Sequence, residues 1–308
     1  MVPFKCSALM LSALILVSLL TLFTTEHEFR DLDRYSGGLN IPKLIKVPRM
    51  IYITHSEDEY QTSRVGMLSR IFGDQLYIVW GGDSEGPRHF EGLNVISNYP
   101  ITSTNRFGAF NWVVPGTGVE QAMMWLIDHR KEAEYTWVME SDVWFESETY
   151  FKEFVWKWKD SNMDLLHQNY RSIPDSDSLT YETDFEEMKI LHRVRHFKML
   201  RPPFVDSNAA IFSPYFEGLF NFYRISSSLV GKLDSWRIQN NGNWIFMEPL
   251  VASFAVQQGF TTKSYLTDEI KMRYRPCFTQ AESLKILHPV KGNFTPCEIP
   301  RRKHNKPS

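Results

Sequence analysis

Cysteine is scarce, 3 in 308 residues, too few for a disulfide-built scaffold or a cysteine-rich zinc module. Neither sign of charge dominates: 34 Lys and Arg face 36 Asp and Glu, for a formal net charge of -2. That balance supplies no basic footprint, so no nucleic-acid partner is expected. No fixed repeat period is evident in the chain, which argues against a solenoid. Hydrophobic residues make up 43% and charged ones 23%, which excludes a mostly disordered chain. A length of 308 residues suffices for one large domain, or two small ones, around a sizeable core.

Aromatic residues, by contrast, are plentiful at 14%, with 9 Trp and 22 Phe. Most are expected in the core, and the surplus suits a protein that handles sugars or bases, because aromatic faces stack on rings.

The one long charge-free run is Cys6 to Thr25, about the length of a bilayer-spanning helix. It exits through Leu20, Leu22 and Phe23 into Glu26, His27 and Glu28. Small residues suited to signal cleavage are missing there, so an uncleaved signal-anchor is expected over 6–25. Lys5 precedes the run, and Glu26, Glu28, Asp31 and Asp33 follow it. The positive-inside rule then leaves residues 1–5 as a cytoplasmic tail and sends the rest to the lumen, single-pass type II. A shortish span suits the thinner Golgi or ER membrane. Residues 26–47, with Ser36-Gly37-Gly38 and Pro42, read as a stem or linker. A luminal domain is expected over 48–295, followed by a basic tail over 296–308. In such a compartment Asn293-Phe294-Thr295 is a glycosylation sequon at Asn293. Cys277 and Cys297 are the cysteines beyond the span, and an oxidising lumen would allow them to pair.

Within the luminal part, Met50–Thr54 and Gln75–Trp80 are short apolar runs of the kind buried in a parallel sheet. Ser63–Phe72 between them has helical spacing, so the order is strand, helix, strand. A second helix is expected over Gly118–Lys131, feeding the strand Tyr135–Met139 and then Val143–Phe145. Further strands are expected at Asp164–Gln168, Ala209–Phe212 and Phe260–Leu266, with an exposed loop over Ile173–Glu187. Phe246-Met247-Glu248-Pro249 opens a helix in which Pro249 suits the first position and which stops at Gly259. The fold class is therefore α/β, a mixed sheet flanked by helices.

Acid-x-acid spacing is common in this chain and means little alone. Glu140 and Asp142 differ in position: they end a buried strand and have apolar sequence on both sides. Open α/β sheets bind ligands just outside the carboxyl ends of their strands. A pair of carboxylates there is costly unless a cation or hydrogen bonds offset it. Mg²⁺ or Mn²⁺ would do so, held by carboxylates together with substrate phosphate oxygens.

Trp137-Val138-Met139-Glu140-Ser141-Asp142-Val143-Trp144-Phe145 resembles the D-x-D segment of GT-A-type glycosyltransferases, which use nucleotide-sugar donors. The resemblance implies a GT-A-like Rossmann-type sheet and a sugar moved from a nucleotide diphosphate to a hydroxyl acceptor on a glycan, protein or lipid. It also implies a metal at Asp142, with Glu140 facing the ribose or a metal-bound water. Glu stands for the usual first Asp, which leaves the role of Glu140 open. Phe246-Met247-Glu248-Pro249 resembles the helix start that carries the acceptor-activating base, so Glu248 is the candidate catalytic residue. A carboxylate is favoured at a helix N-terminus, and helix capping alone is the other reading. His288-Pro289-Val290-Lys291 resembles the late segment that completes the metal site, with His288 as ligand and Lys291 near the diphosphate. Asp83, after Trp80-Gly81-Gly82, is a candidate for the nucleoside, and Asp206 and Asn208 for the donor sugar.

Two other functions fit the same residues. A glycoside hydrolase would use two carboxylates and no nucleotide. A non-catalytic glycan-binding or scaffolding protein would keep the fold and need neither metal nor nucleotide.

Overall fold

The computed structural model describes residues 48–81, 86–87, 89–90, 92–97, 118–173, 200, 202, 205–245, 247–265, 267–272, 284–288 and 290. The strand Arg49–Thr54 (β1) leads into the helix Glu59–Phe72 (α1) and the strand Leu76–Trp80 (β2). A short strand, Asn94–Ser97 (β3), follows, and then the helix Gly118–Asp128 (α2) and the strand Tyr135–Glu140 (β4). Next come Trp144–Phe145 (β5), the helix Glu148–Lys157 (α3) and the strands Leu165–Ile173 (β6) and Tyr215–Ser226 (β7). Helices Ser227–Gln239 (α4) and Met247–Gln257 (α5) precede the strands Thr262–Ser264 (β8), Ile270–Met272 (β9) and Ile286–His288 (β10).

Among the described residues the main sheet has seven strands, in the order β3-β2-β1-β4-β7-β6-β8. Strands β3, β2, β1 and β4 are mutually parallel, whereas β7 runs antiparallel to both β4 and β6. All six residues of β1 are buried, as befits an inner parallel strand covered on both faces. Side chains alternate between those faces. Ile51, Ile53, Val79 and Val138 join a core with α2, α4 and α5. Met50, Tyr52, Ile78, Trp137 and Met139 join another with α1 and α3. The sheet is therefore a helix-flanked Rossmann-like layer, of the α/β class that the order of elements implied.

Much of the aromatic surplus fills the α1/α3 side. Trp137 stacks on Phe222 with ring centroids 4.9 Å apart, and Phe145 on Phe151 at 4.2 Å. Such pairs contribute about 0.5–1.5 kcal/mol each beyond the area they bury.

Two features shape the edge where β1, β2 and β4 end. Gly118 opens α2 against β1: a Cβ there would lie 2.3 Å from Ile53 Cγ2. Only glycine lets this helix start so close to Ile53, the residue in register with Glu140. On the other side, β4 and β7 pair from Tyr135↔Ser226 to Met139↔Phe222. The register of β7 against β6 shifts between Leu166↔Arg224 and Gln168↔Leu219, so β7 carries extra residues beside the end of β4. Bulges of this kind re-aim side chains at the rims of sheets.

Three elements differ from expectation. Ala209–Phe212 is not a strand: Ser207–Ala209 forms a single 3-10 turn, capped by the Asp206 carboxylate accepting from Asn208 N at 2.9 Å. A short side chain that bonds its own backbone two residues on draws the chain out of a ladder. The strand there is β7, with Glu217, Gly218 and Asn221 interrupting its apolar pattern. α5 begins at Met247, so Pro249 takes the third position, where a missing N–H still costs no helical bond. β8 covers only Thr262–Ser264 of the expected Phe260–Leu266. Among the described residues no helix is long and apolar enough to cross a membrane. The expected anchor at 6–25, the stem at 26–47, most of the Ile173–Glu187 loop and the tail at 296–308 lie outside the described residues.

Candidate metal centre at the sheet edge

Glu140 is the last residue of β4, beside Ile53 of β1. The chain then turns, with Val143 N donating to Glu140 O at 3.1 Å. This presents Asp142 at the carboxyl edge of the sheet and starts β5 two residues later. β10 lies antiparallel to β5, with Ile286 opposite Phe145 and Leu287 opposite Trp144. That pairing carries His288 to the turn, and Val290 N donates to Asp142 O at 2.8 Å. His288 Nε2 lies 3.2 Å from Asp142 Oδ1. His288 is thus a buried residue of a strand, 4% exposed.

One ligand atom each of Glu140, Asp142 and His288 lies within 4.8 Å of the others, the two acids being half-buried. Like charges about 4 Å apart repel by about 4 kcal/mol at an effective dielectric of about 20. Two carboxylate oxygens and an imidazole nitrogen are a donor set suited to Mn²⁺ and related divalent ions. These residues could therefore hold a metal ion.

Neighbouring groups fix the two acids. Asn221 Nδ2 donates to Glu140 Oε2 at 2.6 Å, from the point where β7 is bulged. Gln61 Nε2, in the first turn of α1, donates to Ser141 O at 3.3 Å. Tyr52 OH bonds to Gln61 Oε1. Burial drives the Tyr52 phenol well above its ordinary pKa, so this hydroxyl keeps its proton. Arg64, one turn along α1 and 5% exposed, lays its guanidinium 3.8 Å from the centre of the Phe145 ring. Its Nη2 donates to Tyr60 OH at 2.5 Å, and among the described residues its Nη1 has no hydrogen-bond partner.

Of the expected site residues, then, Glu140, Asp142 and His288 come together. Asp206 and Asn208 form a separate turn: Asp206 also accepts from Asn241 Nδ2 at 2.9 Å, and its own N–H donates to Asn240 Oδ1 at 2.7 Å. Glu248 is half-buried in the first turn of α5, which is pinned to β7 by Ser253 Oγ bonding both Phe216 N and Phe216 O. It is not one of the three clustered ligands. Asp83, Lys291, Cys277, Cys297 and Asn293 lie outside the described residues.

Sequence reasoning passed over Tyr52, Gln61, Arg64 and Asn221. Tyr52 did carry a signal, since a hydroxyl inside a run as apolar as Met50–Thr54 demands a buried partner. Nothing local to Gln61 or Asn221 marks either residue, because their partners are remote in sequence.

No protein-family model matches the chain, and no curated protein matches it. Among solved structures, 4-diphosphocytidyl-2C-methyl-D-erythritol synthase from Anaerococcus prevotii is similar over 70% of this chain and 85% of its own, at 11% identity and a TM-score of 0.37. A likeness of that degree carries no weight for what this chain does.

Proposed function

We propose that the chain is a metal-dependent glycosyltransferase of GT-A type, moving a sugar from a nucleotide-diphosphate donor to a hydroxyl acceptor. One observation carries it. His288, far from Glu140 and Asp142 in sequence, converges with that strand-end pair at the carboxyl edge of the parallel strands, where open α/β sheets place their ligands. Convergence of a strand end with a late histidine is what the resemblance requires.

In this reading Glu140, Asp142 and His288 hold Mn²⁺ or Mg²⁺. Such an ion, when bound, neutralises a diphosphate leaving group. Asn221 donates to one Glu140 oxygen and so helps fix the carboxylate, which is proposed to meet the metal or the donor's ribose. Glu248 is proposed as the base that takes the proton of the acceptor hydroxyl, from a helix start that favours its charged form. Lys291 is proposed to meet the diphosphate, Asp83 the nucleoside, and Asp206 and Asn208 the donor sugar. A luminal, membrane-anchored placement through residues 6–25 belongs to the same proposal, as do a Cys277–Cys297 disulfide and a glycan on Asn293.

A thermal-shift screen of the purified chain against nucleotide diphosphates and nucleotide sugars, with and without Mn²⁺, tests this reading. A ligand at 100 times its dissociation constant stabilises the native state by about 2.7 kcal/mol. At least one nucleotide should raise the melting temperature in Mn²⁺ and fail to do so in chelator. A panel in which glycans shift the protein and nucleotides never do would favour the hydrolase or glycan-binding reading instead.

A further inference from the structure

We infer that Gln61 is a positioning residue for this centre, and that Tyr52 and Gln61 together set where Asp142 points. The inference rests on the metal reading above and goes beyond it, because neither residue is itself a ligand.

The path is short and buried. Tyr52 is fully buried in β1, in register with Met139 of β4. Its hydroxyl bonds to Gln61 Oε1, and Gln61 Nε2 donates to Ser141 O at 3.3 Å. The amide can face only one way, because a backbone carbonyl accepts and cannot donate. With its oxygen tied to Tyr52, the nitrogen must face Ser141. Gln61 is itself held, 7% exposed, with its own N–H donating to the Asp58 carboxylate at 2.9 Å as that residue caps α1.

Ser141 is the residue between the two acids. The direction of its carbonyl fixes the plane of the Ser141–Asp142 peptide, and hence the direction in which Asp142 leaves the main chain. A strand end followed by a turn has few bonds to do this: Val143 N to Glu140 O on one side, Val290 N to Asp142 O on the other. Gln61 supplies the hydrogen bond to the middle peptide. Leaving that carbonyl without a donor frees it to rotate and lets Asp142 swing relative to Glu140 and His288. Outer partners that orient metal ligands typically command 10–100-fold in metal affinity.

The test is Mn²⁺ affinity of the full chain, read from the electron paramagnetic resonance of free Mn²⁺, for wild type, Gln61→Leu and Tyr52→Phe. Gln61→Leu should weaken binding about tenfold or more, and Tyr52→Phe should weaken it in the same direction. A role in stability alone would lower the melting temperature and leave the affinity untouched. Wild-type affinity in Gln61→Leu overturns the inference. Should that variant not fold, Tyr52→Phe decides, since it removes one hydroxyl and no volume, and unchanged affinity there overturns it equally. Wild-type protein that binds no Mn²⁺ is a different failure, which removes the metal reading and this inference with it.

Discussion

Asp142→Asn should weaken Mn²⁺ binding by about 100-fold or more, at or beyond the top of the range that outer partners command, with no loss of melting temperature in chelator. The two halves have one cause. Asp142 and Glu140 hold their ligand oxygens within 4.8 Å of each other and of the His288 ring nitrogen. Without a cation the carboxylates repel, so removing one charge relieves the empty protein while it removes a ligand from the loaded one. Asn keeps an oxygen where His288 Nε2 now lies 3.2 Å from Asp142 Oδ1. The backbone bond from Val290 N to Asp142 O does not depend on the side chain at all. The variant is therefore expected to fold normally, and calorimetric titration with Mn²⁺, beside melting curves in chelator, separates the two effects. A drop in stability with unchanged affinity would make Asp142 a structural residue.

A second large effect is expected from His167, on β6. It is completely buried, with Nδ1 3.0 Å from Gln168 O and its ring parallel to that of Phe220 at 5.7 Å. Gly218 lies so close that a Cβ there would come within 2.7 Å of His167 Nδ1. Burial pushes the imidazole down from 6.5 to about 4, with the bond to Gln168 O opposing. A depressed folded pKa means the unfolded chain takes the proton first. The contribution to stability is fully present above pH 6.5 and is lost as pH falls from there to about 4. A shift of that size corresponds to about 3 kcal/mol. Urea unfolding of wild type and His167→Phe at pH 7 and pH 4 isolates it. Wild type should lose about 3 kcal/mol more than the variant between the two. Parallel losses in both proteins would mean that the ring is not held neutral.

What could be read from the sequence, and what could not, follows from the range over which each feature is determined. β1, β2 and β4 were legible because an inner parallel strand is apolar throughout, as in Met50–Thr54 and Tyr135–Met139. Glu140 and Asp142 were legible because charge at the end of such a run is conspicuous. β7 was hidden because its central residues, Gly218 and Asn221 among them, serve a bulge and a close approach to His167 rather than an alternating face. Nearby, the Asp206–Asn208 cap turned an apparent strand at Ala209–Phe212 into a 3-10 turn. His288 was singled out by resemblance alone. Only the pairing of β10 with β5, across a long stretch of sequence, explains why it is buried against Asp142. The residues that support the acids, Gln61 and Asn221, act through partners 80 and 81 positions away, which no local pattern encodes.

Anomalous diffraction from crystals grown with Mn²⁺ tests the central claim most directly. The account predicts a single strong peak bonded to Glu140, Asp142 and His288, with His288 Nε2 turned from Asp142 Oδ1 to the ion. No peak at that edge, with His288 still resting on Asp142, would contradict it.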